Sequence, residues 1–135
     1  MRVMIDANIL ISALLVQSGK RANDVMETIF KNHTLVISTY TKSEVFKKSR
    51  QKFPVKAHIS DNFFAQANYE LFQTPTDIVP DLFYIRDPKD YPVLYSAIVA
   101  GVDIFVTGDK DFAAVDIDKP KILTPAQFLD TYSTD

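Results

Sequence analysis

The chain contains no cysteine. Disulfides and thiolate metal sites are therefore excluded, and a reducing, cytoplasmic compartment is expected. Histidine is scarce: His33 and His58 stand alone, so no histidine cluster offers itself to a metal. No apolar run approaches the roughly 20 residues needed to span a bilayer, and no membrane partner is expected. The opening Met-Arg-Val-Met-Ile-Asp6 places an acid at position 6, which is unlike a signal peptide. Internal repeats, low-complexity tracts and linkers are all missing, and 135 residues amount to about one domain. A single domain over residues 1–135 is expected. The chain also lacks a basic excess. Its 15 basic against 17 acidic residues leave a net charge of −2, which argues mildly against a nucleic-acid partner.

What is present is an alternation of short apolar runs with amphipathic stretches. Residues 2–5, 34–38, 103–107 and 121–124 read as short buried strands. Residues 8–16, 20–31, 41–52, 59–73 and 91–100 read as helices, with a short helix after residue 109 and a last one from Pro125. Ala22, Val25, Met26, Ile29 and Phe30 share one helical face. Thr41-Lys-Ser-Glu44 has the spacing of a capping box. Pro80 makes residues 77–85 read as an edge strand, because proline cannot donate to a ladder. Gly101 sits where a helix C-cap belongs. Strand–helix alternation of this kind predicts a parallel sheet covered on both faces.

In such a sheet, sites form beyond the carboxyl ends of the strands. Asp6, Glu44 and Asp109 each follow a predicted strand, and Asp90 begins the helix before the fourth. Taken singly, each acid reads more readily as part of a helix start than as a metal ligand. Asp87-Pro88-Lys89-Asp90 is a good one, with Asp87 as N-cap and Pro88 at the first turn. Helix-start preferences do not explain why each start lies at one rim. Four carboxylates gathered there repel one another unless cations bind, and an all-oxygen set suits Mg²⁺ or Mn²⁺. A cage of this kind fits phosphodiester hydrolysis without a covalent nucleophile. With four of the 17 acids neutralised, 13 remain against 15 bases, a net of +2, which weakens the objection from charge.

The pattern Met-Ile-Asp6-Ala-Asn8-Ile-Leu, then Ser43-Glu44, then Asp90 eleven residues before Gly101, then Val-Thr107-Gly-Asp109-Lys-Asp111-Phe112 resembles the PIN-domain family. Within it, the likeness is greatest to the toxin components of toxin–antitoxin systems, the VapC-like ribonucleases. It runs from residue 1 to about residue 125. The resemblance implies a Rossmann-like α/β/α sandwich with a five-stranded parallel sheet and a Mg²⁺- or Mn²⁺-dependent endoribonuclease activity. It puts the catalytic, metal-binding acids at Asp6, Glu44, Asp90 and Asp109. It gives Asn8 the task of orienting Asp6, and places the Thr107 hydroxyl near the metal. Asp87 matches an extra acid and Asp111 a second late acid, each open to a supporting or a helix-start role. The resemblance also implies a small antitoxin protein as partner, and a homodimer is expected.

Lys42, Lys47, Lys48, Arg50, Lys52 and Lys56 form the densest basic segment, beside Glu44. They read either as a path for RNA phosphates or as a solvated helix face; Lys20 and Arg21 are a weaker second candidate. Tyr40, Tyr91 and Phe112 flank three of the acids and are candidates for stacking on splayed bases or for rim packing. Phe63, Phe64, Tyr69 and Phe72 read as a helix–helix seam or a dimer interface. A haloacid-dehalogenase-like phosphatase fits worse, since it wants D-x-D where this chain has Asn8. A receiver domain wants a lysine after the last strand, whereas Lys121 precedes it. An RNA-processing PIN nuclease without a toxin role, and a non-hydrolytic RNA- or metal-binding module, are the remaining alternatives.

Overall fold

A computed structural model describes residues 1–133. Five strands form one sheet: β1 (Arg2–Ile5), β2 (Thr34–Ser38), β3 (Glu70–Phe72), β4 (Ile104–Val106) and β5 (Lys121–Leu123). Their order is β3-β2-β1-β4-β5, and every pairing is parallel. Val3 lies opposite both Leu35 and Ile104, which fixes the register of the three central strands. Among the described residues, seven α-helices connect and cover them: α1 (Ala7–Leu15), α2 (Lys20–Asn32), α3 (Thr39–Lys52), α4 (Ala57–Gln66), α5 (Tyr91–Ala100), α6 (Lys110–Ala113) and α7 (Pro125–Tyr132).

The period-two geometry of a strand sends alternate side chains to opposite faces. Val3, Ile5, Leu35, Ile37, Ile104 and Val106 enter one core, against Leu10 of α1, Val25 and Ile29 of α2, Val45 of α3, Phe64 of α4 and Phe128 of α7. Met4, Val36 and Phe105 enter the other, against Val93, Leu94 and Ala97 of α5 and Phe112 of α6. Both faces are thus apolar, which is why the strands read as continuous runs rather than alternating ones.

Three local readings differ from the structure. Residues 59–73 are not one helix: α4 stops at Gln66, and Glu70–Phe72 pairs with β2 as the edge strand. The free edge of β2 offers unpaired backbone groups, and satisfying them outweighs the helical spacing of Leu71 and Phe72. Leu71 ends up 49% exposed. Residues 77–85 form no strand; their backbone bonds go to tyrosine hydroxyls instead. Tyr91 Oη donates to Val79 O at 2.7 Å and accepts from Leu82 N at 3.1 Å, and Tyr95 Oη accepts from Val79 N at 3.2 Å. The capping box at Thr41 is likewise absent. Helix α3 begins earlier, at Thr39, with the Ser38 hydroxyl accepting from Thr41 N at 3.1 Å. Glu44 is therefore in the second turn, free of any capping duty.

The aromatic seam is as expected for its first three members. Phe63, Phe64 and Tyr69 pack together, with Phe63 and Tyr69 stacked at 6.3 Å, beside Phe46 of α3. Phe72 packs against the other core. Among the described residues, no helix is long and apolar enough to cross a membrane.

Candidate metal centre

In a parallel sheet each connecting helix runs back against its strands, so its N-terminus returns to the carboxyl rim. That rule gathers the acids. The strand order reverses at β1: the first two crossovers step to one side through β2 and β3, and the chain then returns to β4 on the other. A crevice opens outside the strand ends at such a switch point. Asp6 follows β1 at this point, and Thr107 and Asp109 follow β4 beside it. Glu44 reaches the rim from α3, and Asp90 from the 3₁₀ turn Pro88–Asp90 that leads into α5. Asp6, Asn8, Glu44, Lys48, Asp90 and Asp109 line one pocket of ≈ 40 Å³. A cavity of that size holds an ion or a few waters but not a base.

Asp6 is the buried anchor, 6% exposed. One carboxylate oxygen accepts from Ile9 N at 3.0 Å, as an N-cap does, and the other accepts from the Thr107 hydroxyl. Thr107 is itself 1% exposed and accepts from Asp109 N at 3.0 Å. One threonine therefore ties the acid after β1 to the acid after β4. The resemblance gave the orienting task to Asn8, but Asn8 turns elsewhere: its Oδ1 accepts from Lys48 Nζ at 3.3 Å. Asp109 caps α6 by accepting from Asp111 N at 2.9 Å.

Like charges and burial leave their mark on the carboxyls. Asp90 is pushed up to about 6, first by burial and then by Asp109, Asp87, Asp111 and Glu44. Burial raises Glu44, with Asp6 adding to the rise and Lys48 and Lys47 opposing it. Burial also raises Asp6, against the hydrogen bonds from Thr107 and Ile9, with Asp109 adding to the rise. Carboxyls held above their ordinary range at one rim are an arrangement that a cation relieves. The donors are all hard oxygens, which fits Mg²⁺ or Mn²⁺ and not a soft metal.

Asp111 lies nearer the centre than its helix-start reading implied. Carboxylate oxygens of Asp90, Asp109 and Asp111 all fall within 4.8 Å of one another. Asp111 is also gripped by Arg86 through two 3.0 Å hydrogen bonds. Asp87 is a cap, accepting from Lys89 N at 3.0 Å.

The flanking residues sort differently from their order in the chain. Lys48 points into the pocket, whereas Arg50 is occupied by Asp61 at 2.9 Å and lies over the Phe46 ring. Lys42 sits over Phe64, 5.4 Å from the ring centroid, and Lys47 lines a second pocket with Tyr40 and Glu44. Lys52 is exposed. Phe112 is 3% exposed and packs edge-on to Phe105 at 5.1 Å. It belongs to the core and is not available to stack on a base. Tyr91 stacks on Phe83 at 4.3 Å, while Tyr40 Oη donates to Lys89 O at 3.2 Å, bracing the turn that carries Asp90. The buried hydroxyl of Thr107 and its two partners could have been suspected from the T-x-D spacing; Lys48 gave no signal beyond being one of several lysines.

Comparison with known proteins gives three results. A family model described as PIN domain matches residues 2–111. The crystal structure of VapBC2 from Rickettsia felis bound to a DNA fragment from their promoter contains a similar chain, at TM-score 0.67 and 17% identity, covering 91% of this chain and 97% of that one. The crystal structure of Mycobacterium tuberculosis VapC20, a Sarcin-Ricin loop cleaving toxin, is similar at TM-score 0.61 and 13% identity, covering 83% of this chain and 93% of that one. No curated protein matches.

Proposed function

The chain belongs to the PIN-domain family, and on that premise we propose that it is a Mg²⁺- or Mn²⁺-dependent endoribonuclease, the toxin of a toxin–antitoxin pair. The observation that carries the activity is the meeting of Asp6, Glu44, Asp90 and Asp109 around one small pocket at the carboxyl rim. The structural likeness to VapBC2 and to a toxin that cleaves an RNA loop supports the toxin role. We assign a small antitoxin protein as partner, a homodimer as the working assembly, the cytoplasm as location and residues 1–135 as one domain.

The residues divide the work. Asp6, Glu44, Asp90 and Asp109 would hold the cation, and Asp111 and Asp87 would support the cluster from the α6 and α5 starts. A bound divalent cation would supply Lewis-acid chemistry for attack by water on the phosphodiester. Thr107 fixes the rotamer of Asp6, so the anchor is preorganised before any ligand arrives. Lys42, Lys47 and Lys52 are exposed or half-exposed cations along α3, the helix that carries Glu44, and are the candidates for attracting RNA phosphates, while Lys48 faces the pocket itself. Arg50, already paired with Asp61, contributes less.

Purified protein should cleave single-stranded RNA with Mn²⁺ or Mg²⁺, and EDTA should stop it. Asp6→Asn and Asp90→Asn should each lose activity while staying folded. Normal cleavage by Asp90→Asn would remove that acid from the cation-holding set. For the toxin role, expression of the wild type should arrest growth and co-expression of a neighbouring small gene should relieve it; a host that tolerates the active wild type alone refutes that part.

A further inference from the structure

Glu44 and Lys48 stand four residues apart on α3, an ordinary helix pair by spacing. The geometry is not that of an ordinary pair. Lys48 Nζ is 4.0 Å from Glu44 Oε2 but 3.3 Å from Asn8 Oδ1, so the ammonium leans off its own helix and across to α1. Lys48 is the one basic side chain among the residues lining the acid pocket, and only 32% of its side chain is exposed. Arg50 is engaged away from the pocket by Asp61, Arg86 grips Asp111 at its outer side, and Lys47 lines a separate pocket beside Glu44.

We infer that Lys48 is the resident counter-ion of the acid cage: its ammonium stabilises the metal-free site and competes with the divalent cation for it. This rests on the metal reading above and adds a tuning residue to it. Asn8 then acts as the tether that keeps the ammonium over the pocket, which gives an exposed asparagine beside Asp6 a use other than orienting that acid. A monovalent charge left within about 6 Å of a divalent one weakens its binding on the order of tenfold even at the dielectric of water. Removing Lys48 should therefore have opposite effects with and without metal, a signature that a packing role does not produce.

The test uses the full chain as wild type, Lys48→Met, Lys48→Arg and Lys31→Met, the last controlling for net charge on the distant α2. Mn²⁺ binding is measured by calorimetry, and thermal midpoints are measured in EDTA and at saturating Mn²⁺. The expected result is about tenfold tighter Mn²⁺ binding by Lys48→Met, wild-type affinity in Lys48→Arg and Lys31→Met, and a lower midpoint in EDTA that recovers with Mn²⁺. Unchanged or weaker Mn²⁺ binding by Lys48→Met, with wild-type protein that binds Mn²⁺, overturns the inference and leaves the metal centre standing. Failure of both wild type and Lys48→Met to bind Mn²⁺ or Mg²⁺ overturns the metal centre and the inference together.

Discussion

Replacing Asp90 by asparagine separates crowding of charge from capping of a helix. The Asp90 carboxyl is raised from 3.8 to about 6. Its ionised form is therefore disfavoured in the folded protein. Above pH 6 the folded state carries an unfavourable charge, and as pH falls from about 6 toward 3.8 that cost is relieved, because the folded state takes up the proton first. At face value the shift corresponds to roughly 3 kcal/mol at 1.4 kcal/mol per pH unit. Asp90 is partly solvated, and screening reduces this to about 1 kcal/mol. Its side chain makes no capping hydrogen bond, so asparagine forfeits none. The favourable charge at a helix start, about 0.5 kcal/mol, is lost and offsets part of the gain. The net expectation for metal-free Asp90→Asn at pH 8 is about 0.5 kcal/mol, a midpoint about 1–3 °C above wild type. The difference should shrink through pH 4.5 and vanish below about pH 3.8. With saturating Mn²⁺ at pH 8 the order reverses, since wild type gains binding energy that the variant lacks. RNA cleavage should fall about 10²–10³-fold, the scale of several kcal/mol of lost charge stabilisation. Differential scanning fluorimetry across pH, with EDTA or Mn²⁺, reads the stability changes, and a gel assay reads the cleavage. A variant that is less stable than wild type in EDTA at pH 8, yet responds equally to Mn²⁺, refutes the crowding argument.

Three further outcomes rest on the geometry. Thr107→Val keeps the volume but removes the hydroxyl shared by Asp6 and Asp109 N; it should cost about 2–3 kcal/mol by urea denaturation, and Thr107→Ser should restore most of it. Gly101 closes α5 at φ 68° with open space where a Cβ would sit, so Gly101→Ala should cost about 1–2 kcal/mol from backbone strain alone, and a neutral result would show that the turn relaxes. Lys42→Ala with Lys47→Ala should weaken RNA binding and lessen its salt dependence by about 0.7 per lost phosphate contact; an unchanged slope would mark both lysines as a solvated face.

The acids and their order along the chain are legible in the sequence alone, as are four of the five strands. Both are matters of local physics. A short apolar run bounded by polar residues buries itself wherever it goes, Pro88 opens a turn, and Gly101 takes a left-handed conformation at little cost. Asp6, Asp87 and Asp109 cap the helical turns after them because their side chains reach the free amides two or three residues ahead. Parallel crossovers then bring helix starts to one rim, so the site is visible in outline through the fold class. The illegible part depends on partners distant in the chain. The helical spacing of residues 59–73 carries no trace of the free edge on β2 that pulls Glu70–Phe72 into the sheet. Thr41 and Glu44 have the spacing of a cap, but Ser38 takes the cap because α3 starts flush against the end of β2. Phe112 reads as a rim aromatic, yet β4 places Phe105 beneath it and makes it core. The tie from Thr107 to Asp6 spans 101 positions, and the lean of Lys48 toward Asn8 spans 40. Contacts of that range are set by which strands become neighbours, and a chain read residue by residue carries no energy term for neighbours it has not yet met.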